Sequence, residues 1–432
     1  MSDYIPFEIQ VQIIKRLPVK SLLQFRSVSK QWKSLIDSSE FIAGYRFRQT
    51  HPQRLLLWYK DPVDLKQNYV SFLDDDAFAQ QELAPTVPPM LPEHLFRSEA
   101  PRSSQGLVCL SGFYEYPVAP LCKIRTKMIV LLNPSIRKSV LIPFPGFLNF
   151  EIVDGFGVCP ITNDPTIVKI KNVCTDLGTK VSSPIVEVFK LSTGCWRSFC
   201  SNLPKKSIHF MSPNVAIDSY IYWVAFDNDF LDNDSQILKP LIISFHMTTE
   251  EFRVIDLPNT LAYEIDEEFR VIDLTDSLPY ASLSLSKLRD SLAVLKYVTR
   301  NDPGTQSEFE VCDVWIMDND VLHSFTKLYT INPRYDIIRI LGFTNSGEPM
   351  MEVLKTQSIL GSWGCHTEPA SVVVYEPNSK RIRDIGIRAE YASSLVSSYM
   401  ETLLLLDQSN CNVSLWPDQI ARGVAYTGLV VL

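Results

Sequence analysis

IPFEIQVQIIKRLPVKSLLQFRSVSKQWKSLIDSSEF, from Ile5 to Phe41, is the stretch that decides the fold. Pro6 can open a helix at its first position, where a missing N–H costs nothing. The apolar residues that follow recur with the spacing of one helical face: Ile9, Ile13, Ile14 and Leu17. Pro18 cannot continue that helix, so the sequence predicts that it ends there.

Two further short helices are predicted after Pro18. The second starts near Val19 and carries Leu22, Leu23 and Phe25, and the third carries Val28, Trp32, Leu35 and Ile36. Three helices in fewer than 40 residues are too small to bury so many large side chains. The surplus apolar surface predicts a protein partner. A helical cap that packs on the following domain is the alternative, and composition leaves the two equally open.

These residues resemble an F-box. The matching positions are Ile5-Pro6, Ile13-Ile14-x-Arg16-Leu17-Pro18, Val19-Lys20-Ser21-Leu22-Leu23, Phe25-Arg26-x-Val28-x-Lys30-x-Trp32, Leu35-Ile36 and Phe41. The resemblance implies binding to a Skp-type adaptor and, through it, to a cullin-based ubiquitin ligase. We expect the adaptor to contact Pro6, Ile9, Ile13, Leu17, Pro18, Val19, Leu22, Leu23 and Val28. The core of the F-box is expected to hold Phe25, Trp32, Leu35 and Ile36.

The charge of the chain is uneven. The net charge is −8, which argues against general nucleic-acid binding. Residues 1–50 hold eight Lys/Arg and four Asp/Glu, so the remainder of the chain carries −12. A basic helical head suits an acidic partner, and the resemblance implies one because Skp-type adaptors are typically acidic. Charge of this kind speeds association more than it tightens it.

The sequence also indicates the cellular compartment in which the protein is expected. No run of 18 apolar residues occurs, so no membrane span is expected, and the N-terminus lacks the pattern of a secretory signal. The nine cysteines are odd in number and form no C-x-x-C, which predicts reduced thiols. We therefore expect a cytoplasmic or nuclear protein.

From residue 105 onward a strand–turn–strand pattern recurs without a repeated sequence. The five units are Ile129–Pro143, Val186–Trp196, Ile242–Pro258, Val311–Phe325 and Val372–Ile382. Their turns are about 55 to 70 residues apart, near the period of kelch-type repeats. This pattern predicts a propeller of five or more blades, because a single blade cannot bury its own faces. A plausible closure pairs strands near residues 54–73 with strands near 393–407 and removes a sheet edge.

The same region resembles the F-box-associated interaction domain of plant F-box proteins. The matching phrases are Leu132-Asn133-Pro134, Gly155-Phe156-Gly157, Ser192-Thr193-Gly194-x-Trp196, Ile221-Tyr222-Trp223, Ile243-Ser244-Phe245 and Asp313-Val314-Trp315-Ile316-Met317. The predicted fold class is therefore an α+β multidomain chain, with a small three-helix F-box head followed by an all-β, kelch-like β-propeller. In that family the propeller is the part proposed to capture the target protein.

The expected domains are an F-box at 1–48, connecting strands with a proline-rich loop at 49–104, the propeller at 105–408 and a tail at 409–432. A strand is predicted at Thr402–Leu406. The segment EEFRVIDL occurs twice, at Glu250–Leu257 and Glu267–Leu274. We expect the first copy to be the blade strand.

No catalytic motif, metal-ligand spacing or cofactor-binding loop stands out, so no catalytic residue, metal or cofactor is expected. The acidic run Asp227–Asp234 lacks the glycine and closing glutamate of a calcium loop. Trp363 lies between glycines, and is either an exposed anchor for a target or a tip packed on its own blade.

These features predict a substrate receptor of a Skp–cullin–F-box ligase. The alternatives are a propeller enzyme or carbohydrate-binding module with a helical cap, and an F-box protein that acts without directing degradation.

Overall fold

A computed structural model gives the arrangement of most of the chain. It describes residues 5–45, 54–73, 80–82, 95–96, 101–119, 122–144, 152–171, 184–203, 208–211, 213–227, 237–238, 240–261, 263–264, 283–301, 308–318, 324–332, 336–354 and 369–408. The chain forms two compact units. Unit 1 comprises Met1–Trp58, Gln67–Asn149 and Ser397–Leu432, and unit 2 comprises Tyr59–Lys66 and Phe150–Val396.

The head in unit 1 holds four short helices. They are α1 (Phe7–Ile14), α2 (Val19–Phe25), α3 (Lys30–Ile36) and α4 (Ser39–Gly44). The first two begin directly after Pro6 and Pro18, as the prolines predict. Ser29 and Ser38 cap α3 and α4, because each side chain accepts a hydrogen bond from a backbone N–H of the first turn. The sequence predicted three helices, and α4 was missed.

Unit 1 also contains most of two sheets. The first sheet joins β1 (Arg54–Lys60), β2 (Gln67–Leu73) and β3 (Gln80–Glu82) to the last strand, β28 (Leu395–Tyr399), in the order β28-β1-β2-β3. The second contains β4 (Leu95–Phe96), β5 (Arg102–Ser104), β6 (Leu107–Ala119), β7 (Cys122–Asn133) and β8 (Lys138–Pro143). The pairing of β28 with β1 confirms the expected closure between the two ends of the propeller region.

Unit 2 contains four further sheets. The third sheet holds β9 (Ile152–Val158), β10 (Pro165–Lys171), β11 (Ile185–Lys190) and β12 (Cys195–Phe199). The fourth holds β13 (Ile208–Phe210), β14 (Val215–Ile217), β15 (Tyr220–Asp227), β17 (Pro240–His246) and β18 (Phe252–Asp256). Two short strands, β16 (Ile237–Leu238) and β19 (Tyr263–Glu264), pair with each other, and a 3-10 turn spans Asn259–Leu261.

The fifth sheet holds β20 (Leu283–Leu288), β21 (Ser291–Asn301), β22 (Glu308–Asp318) and β23 (Ser324–Ile331). The sixth holds β24 (Asp336–Phe343), β25 (Pro349–Leu354), β26 (Ala370–Glu376) and β27 (Arg381–Ala389). The protein is therefore a short N-terminal helical region followed by a six-bladed all-β propeller, and the predicted fold class is confirmed.

The five hairpins predicted from the sequence are the last two strands of sheets two to six: β7–β8, β11–β12, β17–β18, β22–β23 and β26–β27. The first copy of EEFRVIDL contains β18, as expected, and the second copy lies outside the described residues. Two predictions were wrong. Thr402–Leu406 is not a strand, and the proline-rich loop, which the sequence places at residues 74–104, contains three short strands (β3, β4 and β5).

Unit 2 buries its apolar side chains between neighbouring sheets. Trp223 on β15 is fully buried in the cluster that joins the third and fourth sheets. A Cβ atom on Gly155 would lie 2.1 Å from the Trp223 ring, and one on Gly157 would lie 2.8 Å from the sulfur of Met247. These two motif glycines therefore make room for side chains of the next sheet. Similar clusters join the fourth sheet to the fifth and the fifth to the sixth.

Candidate functional site

Several large apolar side chains of the head are exposed. Ile5, Ile9 and Ile13 follow one another at intervals of four residues and are 49%, 52% and 49% exposed. Val28, between α2 and α3, is 68% exposed. Side chains four residues apart lie on the same side of a helix, so Ile9 and Ile13 share one side of α1, and Ile5 lies just before the helix. We call the exposed side chains of Ile5, Ile9, Ile13 and Val28 the outer apolar face.

The opposite side of the head is buried. Ile14, the neighbour of Ile13, points inward with Ile36, Phe41 and Ile42. Val19 and Leu22 are also buried, at 1% and 0% exposure. Neither side chain has exposed surface in this conformation, and their expected contacts with the adaptor stay a prediction.

The remaining residues expected to contact the adaptor fall into two groups. Pro6 is exposed beside the outer apolar face, whereas Leu17, Pro18 and Leu23 are partly buried. Ile5, which is also exposed, was not among the expected contacts. Of the expected set, Pro6, Ile9, Ile13 and Val28 are therefore the members that are exposed.

The expected core residues differ in burial. Ile36 is fully buried, Trp32 and Leu35 are partly buried, and Phe25 is 38% exposed. The Trp32 ring lies 5.6 Å from the ring of Phe7 and 6.5 Å from that of Phe25, measured between centroids. Phe25 thus packs at the edge of the head against Trp32, and not at its centre. The core residues that the sequence reasoning missed, Phe41, Ile42 and Tyr45, belong to α4 and its C-terminal end.

The head also exposes positive charge. Residues 5–45 contain six Lys/Arg and three Asp/Glu, and Arg16, Lys20, Lys30 and Lys33 are exposed. Arg26 and Asp37 form a two-pronged ion pair, and hydrogen bonding to Asp37 raises the pKa of Arg26. This pair joins the end of α2 to the end of α3. The exposed lysines and Arg16 leave the head with a positive rim suited to an acidic surface.

The head also contacts the segment that follows β28. The carboxylate of Glu401 accepts a hydrogen bond from the backbone N–H of Val19, with an N···O distance of 2.9 Å. The hydroxyl of Tyr45 donates to the carbonyl oxygen of Leu17 at 2.7 Å. Burial, together with the nearby charge of Glu401, raises the pKa of Tyr45 well above its ordinary value. These bonds hold both ends of the α1–α2 connection.

Other candidate sites can be checked only in part. Trp363 and most of the acidic run Asp227–Asp234 lie outside the described residues. Within the described ranges, no group of three or more His, Cys, Asp or Glu is placed to hold a metal ion. No helix in the same ranges is long and apolar enough to span a membrane.

Comparison with known families agrees with this division. The F-box domain profile matches residues 3–43, and the profile of the F-box associated beta propeller domain matches residues 66–409. The chain belongs to the F-box associated beta propeller family. The first match covers the helical head, and the second covers the strands of the six sheets except β1.

Relatives of the chain are known in plants. It is 27% identical over 256 residues to the F-box protein At2g21930 of Arabidopsis thaliana, covering 59% of this chain and 60% of that protein. It is 25% identical over 263 residues to the putative F-box protein At3g16210 of the same plant, covering 60% and 62%. The matches thus span about three fifths of these relatives. Among solved structures, the beta-propeller domain of the trilobed protease from Pyrococcus furiosus is 12% identical, with a TM-score of 0.36 and coverage of 67% and 71%.

Proposed function

We propose that this protein is the substrate-recognition subunit of a Skp–cullin–F-box ubiquitin ligase. The F-box domain implies binding to a Skp-type adaptor. The cullin would then be recruited through that adaptor, and the propeller would capture the target protein. We further propose that the protein acts in the cytoplasm or the nucleus, where such ligases assemble.

The observation that carries the proposal is the outer apolar face. Four aliphatic side chains of the head are each about half exposed or more, and the head also exposes Lys and Arg side chains that give it a positive rim. Complete burial of one such side chain contributes about 1.5–3 kcal/mol, so covering their exposed parts favours binding by a few kcal/mol. A partner with an apolar groove and acidic margins matches this surface, and this is the chemistry expected of a Skp-type adaptor.

The protein itself is proposed to carry out no bond chemistry. F-box proteins of this kind are generally non-catalytic adaptors. Such a receptor contributes by holding the target close to the charged conjugating enzyme, which raises the effective concentration of the reacting groups. No observation on the described residues favours the enzyme alternative.

The proposal is tested by co-elution of the full chain with a purified plant Skp-type adaptor in size-exclusion chromatography, first alone and then with the cullin. We expect the wild-type chain to co-elute with both. The double variant Ile9→Asp, Ile13→Asp should lose both complexes, because it places two charges on the outer apolar face. Leu22 is unsuitable for this test, since a charge at a fully buried position would unfold the head.

Val63→Asp is the matched control. Val63 lies in the turn between β1 and β2, outside the head, and is 91% exposed, so the substitution adds the same charge on another apolar surface position. It should leave co-elution unchanged. The proposal fails if the wild-type chain is folded by circular dichroism and does not bind the adaptor. It also fails if the folded double variant binds as well as the wild type.

A further inference from the structure

The segment that follows β28 is buried although it is not a strand. Residues 402–406 are all buried, and the chain turns there, with a hydrogen bond from the N–H of Leu406 to the carbonyl oxygen of Leu403. Leu405 has a positive φ of 73°, which is uncommon for a residue other than glycine. We call Met400–Leu406 the strap. A buried turn without ladder partners needs other groups to satisfy its carbonyl oxygens.

Side chains of the β7–β8 hairpin satisfy those carbonyls. The amide nitrogen of Asn133 donates to the carbonyl oxygens of Thr402 and Leu404, at 2.9 and 2.7 Å. Its amide oxygen accepts from the N–H of Ser135 at 2.9 Å, which fixes the orientation of the amide. The ammonium group of Lys138 donates to the carbonyl oxygen of Leu406 at 2.8 Å. The motif residue Asn133 is fully buried, so it anchors the strap to the second sheet.

The backbone of Gly106 also packs closely against the strap. Gly106, between β5 and β6, has a φ of +80°, and a Cβ atom there would lie 2.1 Å from the carbonyl oxygen of Met400. The hydroxyl of Ser135 lies 2.8 Å from that of Tyr399 and accepts from the N–H of Thr402 at 3.3 Å. The beginning of the strap is thus held between two turns of the same sheet.

The other side of the strap reaches the head through Glu401. Helix α2 begins after Pro18, which has no side-chain acceptor to cap the first turn. The N–H groups of a first helical turn have no partner within the helix, and a carboxylate beside them is favourable. Glu401 supplies that acceptor to Val19, from a position 382 residues away in the chain. The pKa of Lys138 is lowered by burial and next by the nearby charge of Arg26, which places the hairpin close to the head as well.

We propose that the strap fixes the F-box head on the second sheet, with Glu401 as the positioning residue and Asn133 as its anchor. The segment that completes the propeller would then also set the direction in which the head presents its outer apolar face. A receptor that acts by proximity needs such a fixed geometry. This last consequence rests on the proposed function, whereas the attachment itself does not.

Hydrogen–deuterium exchange on the full chain tests the attachment without any partner. Glu401→Ala should raise exchange about tenfold in α2 and leave β6 and β7 protected, because Glu401 is expected to act on the head alone. Glu401→Gln should restore part of the protection, since its amide oxygen can still accept the Val19 N–H. Glu390→Ala is the matched control: it removes a carboxylate that pairs with Lys60 at 3.4 Å, outside the head.

Asn133→Asp tests whether the strap as a whole, and not only the Glu401 side chain, protects α2 from exchange. It places a carboxylate oxygen against two carbonyl oxygens of the strap, and it should raise exchange in α2 because the strap carries the effect to the head. If this variant does not fold, Lys138→Met removes a single bond to the strap and should raise α2 exchange several-fold. The proposal is overturned if α2 exchange stays at the wild-type level in Glu401→Ala, or if β6 and β7 lose protection equally in that variant.

Adaptor affinity distinguishes this proposal from the proposed function. Glu401 bonds to the buried Val19, which is not part of the outer apolar face, so Glu401→Ala should bind a Skp-type adaptor within about twofold of the wild type. A wild-type chain that fails to bind the adaptor contradicts the ligase role, while the exchange result still decides the role of the strap. A Glu401→Ala chain with a large loss of affinity contradicts the assignment of Glu401 as a residue that positions an otherwise intact head.

Discussion

The helical head exposes several large apolar side chains, whereas the four sheets of unit 2 bury most of theirs. In unit 2, Trp223, Ile243 and Phe245 are fully buried, because the fourth sheet packs on a neighbour at each of its faces. In the head, α1 buries Ile14 and exposes Ile9 and Ile13. A sheet within a propeller has two covered faces, whereas a small helical bundle covers only one side of each helix. The difference supports the proposal that the exposed apolar side chains of the head dock a partner, whereas unit 2 is stabilised by its own core.

The largest expected effect on stability is at the centre of the unit 2 core. Trp223→Ala should lower the free energy of unfolding by about 3–5 kcal/mol, since it removes a fully buried indole between two sheets. Ile9→Ala should change it by less than about 0.5 kcal/mol, because Ile9 is half exposed. Urea denaturation of both variants makes the measurement. If the two substitutions lowered the free energy of unfolding by similar amounts, the proposed difference in burial between the head and the propeller would be contradicted.

A smaller effect is expected at the glycine that faces Trp223. Gly155→Ala should cost about 1–3 kcal/mol, because its methyl group would overlap the indole ring. The cost should fall when Gly155→Ala is combined with Trp223→Phe, which leaves more space. A double-mutant cycle by urea denaturation measures this coupling. Additive costs would show that Gly155 is required for another reason. Gly386→Ala is a control for backbone strain alone, since Gly386 has a positive φ and nothing within 4 Å of its Cβ position.

The charges of unit 2 should give a pH-dependent effect. Burial alone would raise the pKa of Glu250, but hydrogen bonds from Lys190 and Arg197 outweigh it and hold the pKa below its ordinary value. A lowered pKa in the folded state adds stability that is present above the unfolded-state pKa and is lost as the pH falls through the folded-state pKa.

Glu250→Gln should therefore be less stable than the wild type at pH 7, by about 0.5–1 kcal/mol for such a partly exposed ion cluster. The difference should shrink toward zero as the pH falls from about 5 to 3. Urea denaturation at a series of pH values makes the comparison. If the stability difference between the wild type and Glu250→Gln grew as the pH fell, the pKa of Glu250 would not be lowered in the folded state.

The smallest expected effect concerns the positive rim of the head. Lys30→Glu should slow adaptor association several-fold at low salt and change the dissociation rate little, because exposed charges act mainly on the encounter. Addition of about 0.5 M salt should abolish the difference, since it screens exposed charges. Stopped-flow measurements of both rates test this. Lys287→Glu, in the fifth sheet, is the control, and an equal slowing by both variants would contradict a role for the rim.

The sequence was informative where local chemistry determines the structure. Pro6 and Pro18 set the starts of α1 and α2, and alternation with turn residues located five hairpins. The first sheet was less evident, because it is assembled from β28 and from strands more than 300 residues earlier. The strap was mistaken for a strand since Leu403–Leu406 is a continuous apolar run, and periodicity cannot distinguish a buried turn from a buried strand.

The sequence identified the helices that form the candidate site, but it did not show which of their side chains are exposed. The apolar spacing identified α1 and α2 as a helical head, but Ile13 and Ile14 are equally apolar neighbours, and only tertiary packing shows which one is buried. The same limitation explains the assignment of Val19 and Leu22 to the binding surface. Their burial arises from tertiary packing, and the backbone N–H of Val19 bonds to Glu401, which is distant in the sequence.

The most direct test of the docking surface is the Kd of a purified Skp-type adaptor for the full chain, measured by calorimetry. Ile9→Asp combined with Ile13→Asp should weaken binding by about 100-fold or more, on the basis of roughly tenfold for each lost anchor. Val63→Asp should stay within about twofold of the wild type, because it lies outside the docking surface. Wild-type affinity in the folded double variant would contradict the claim that the outer apolar face of the head is the docking surface.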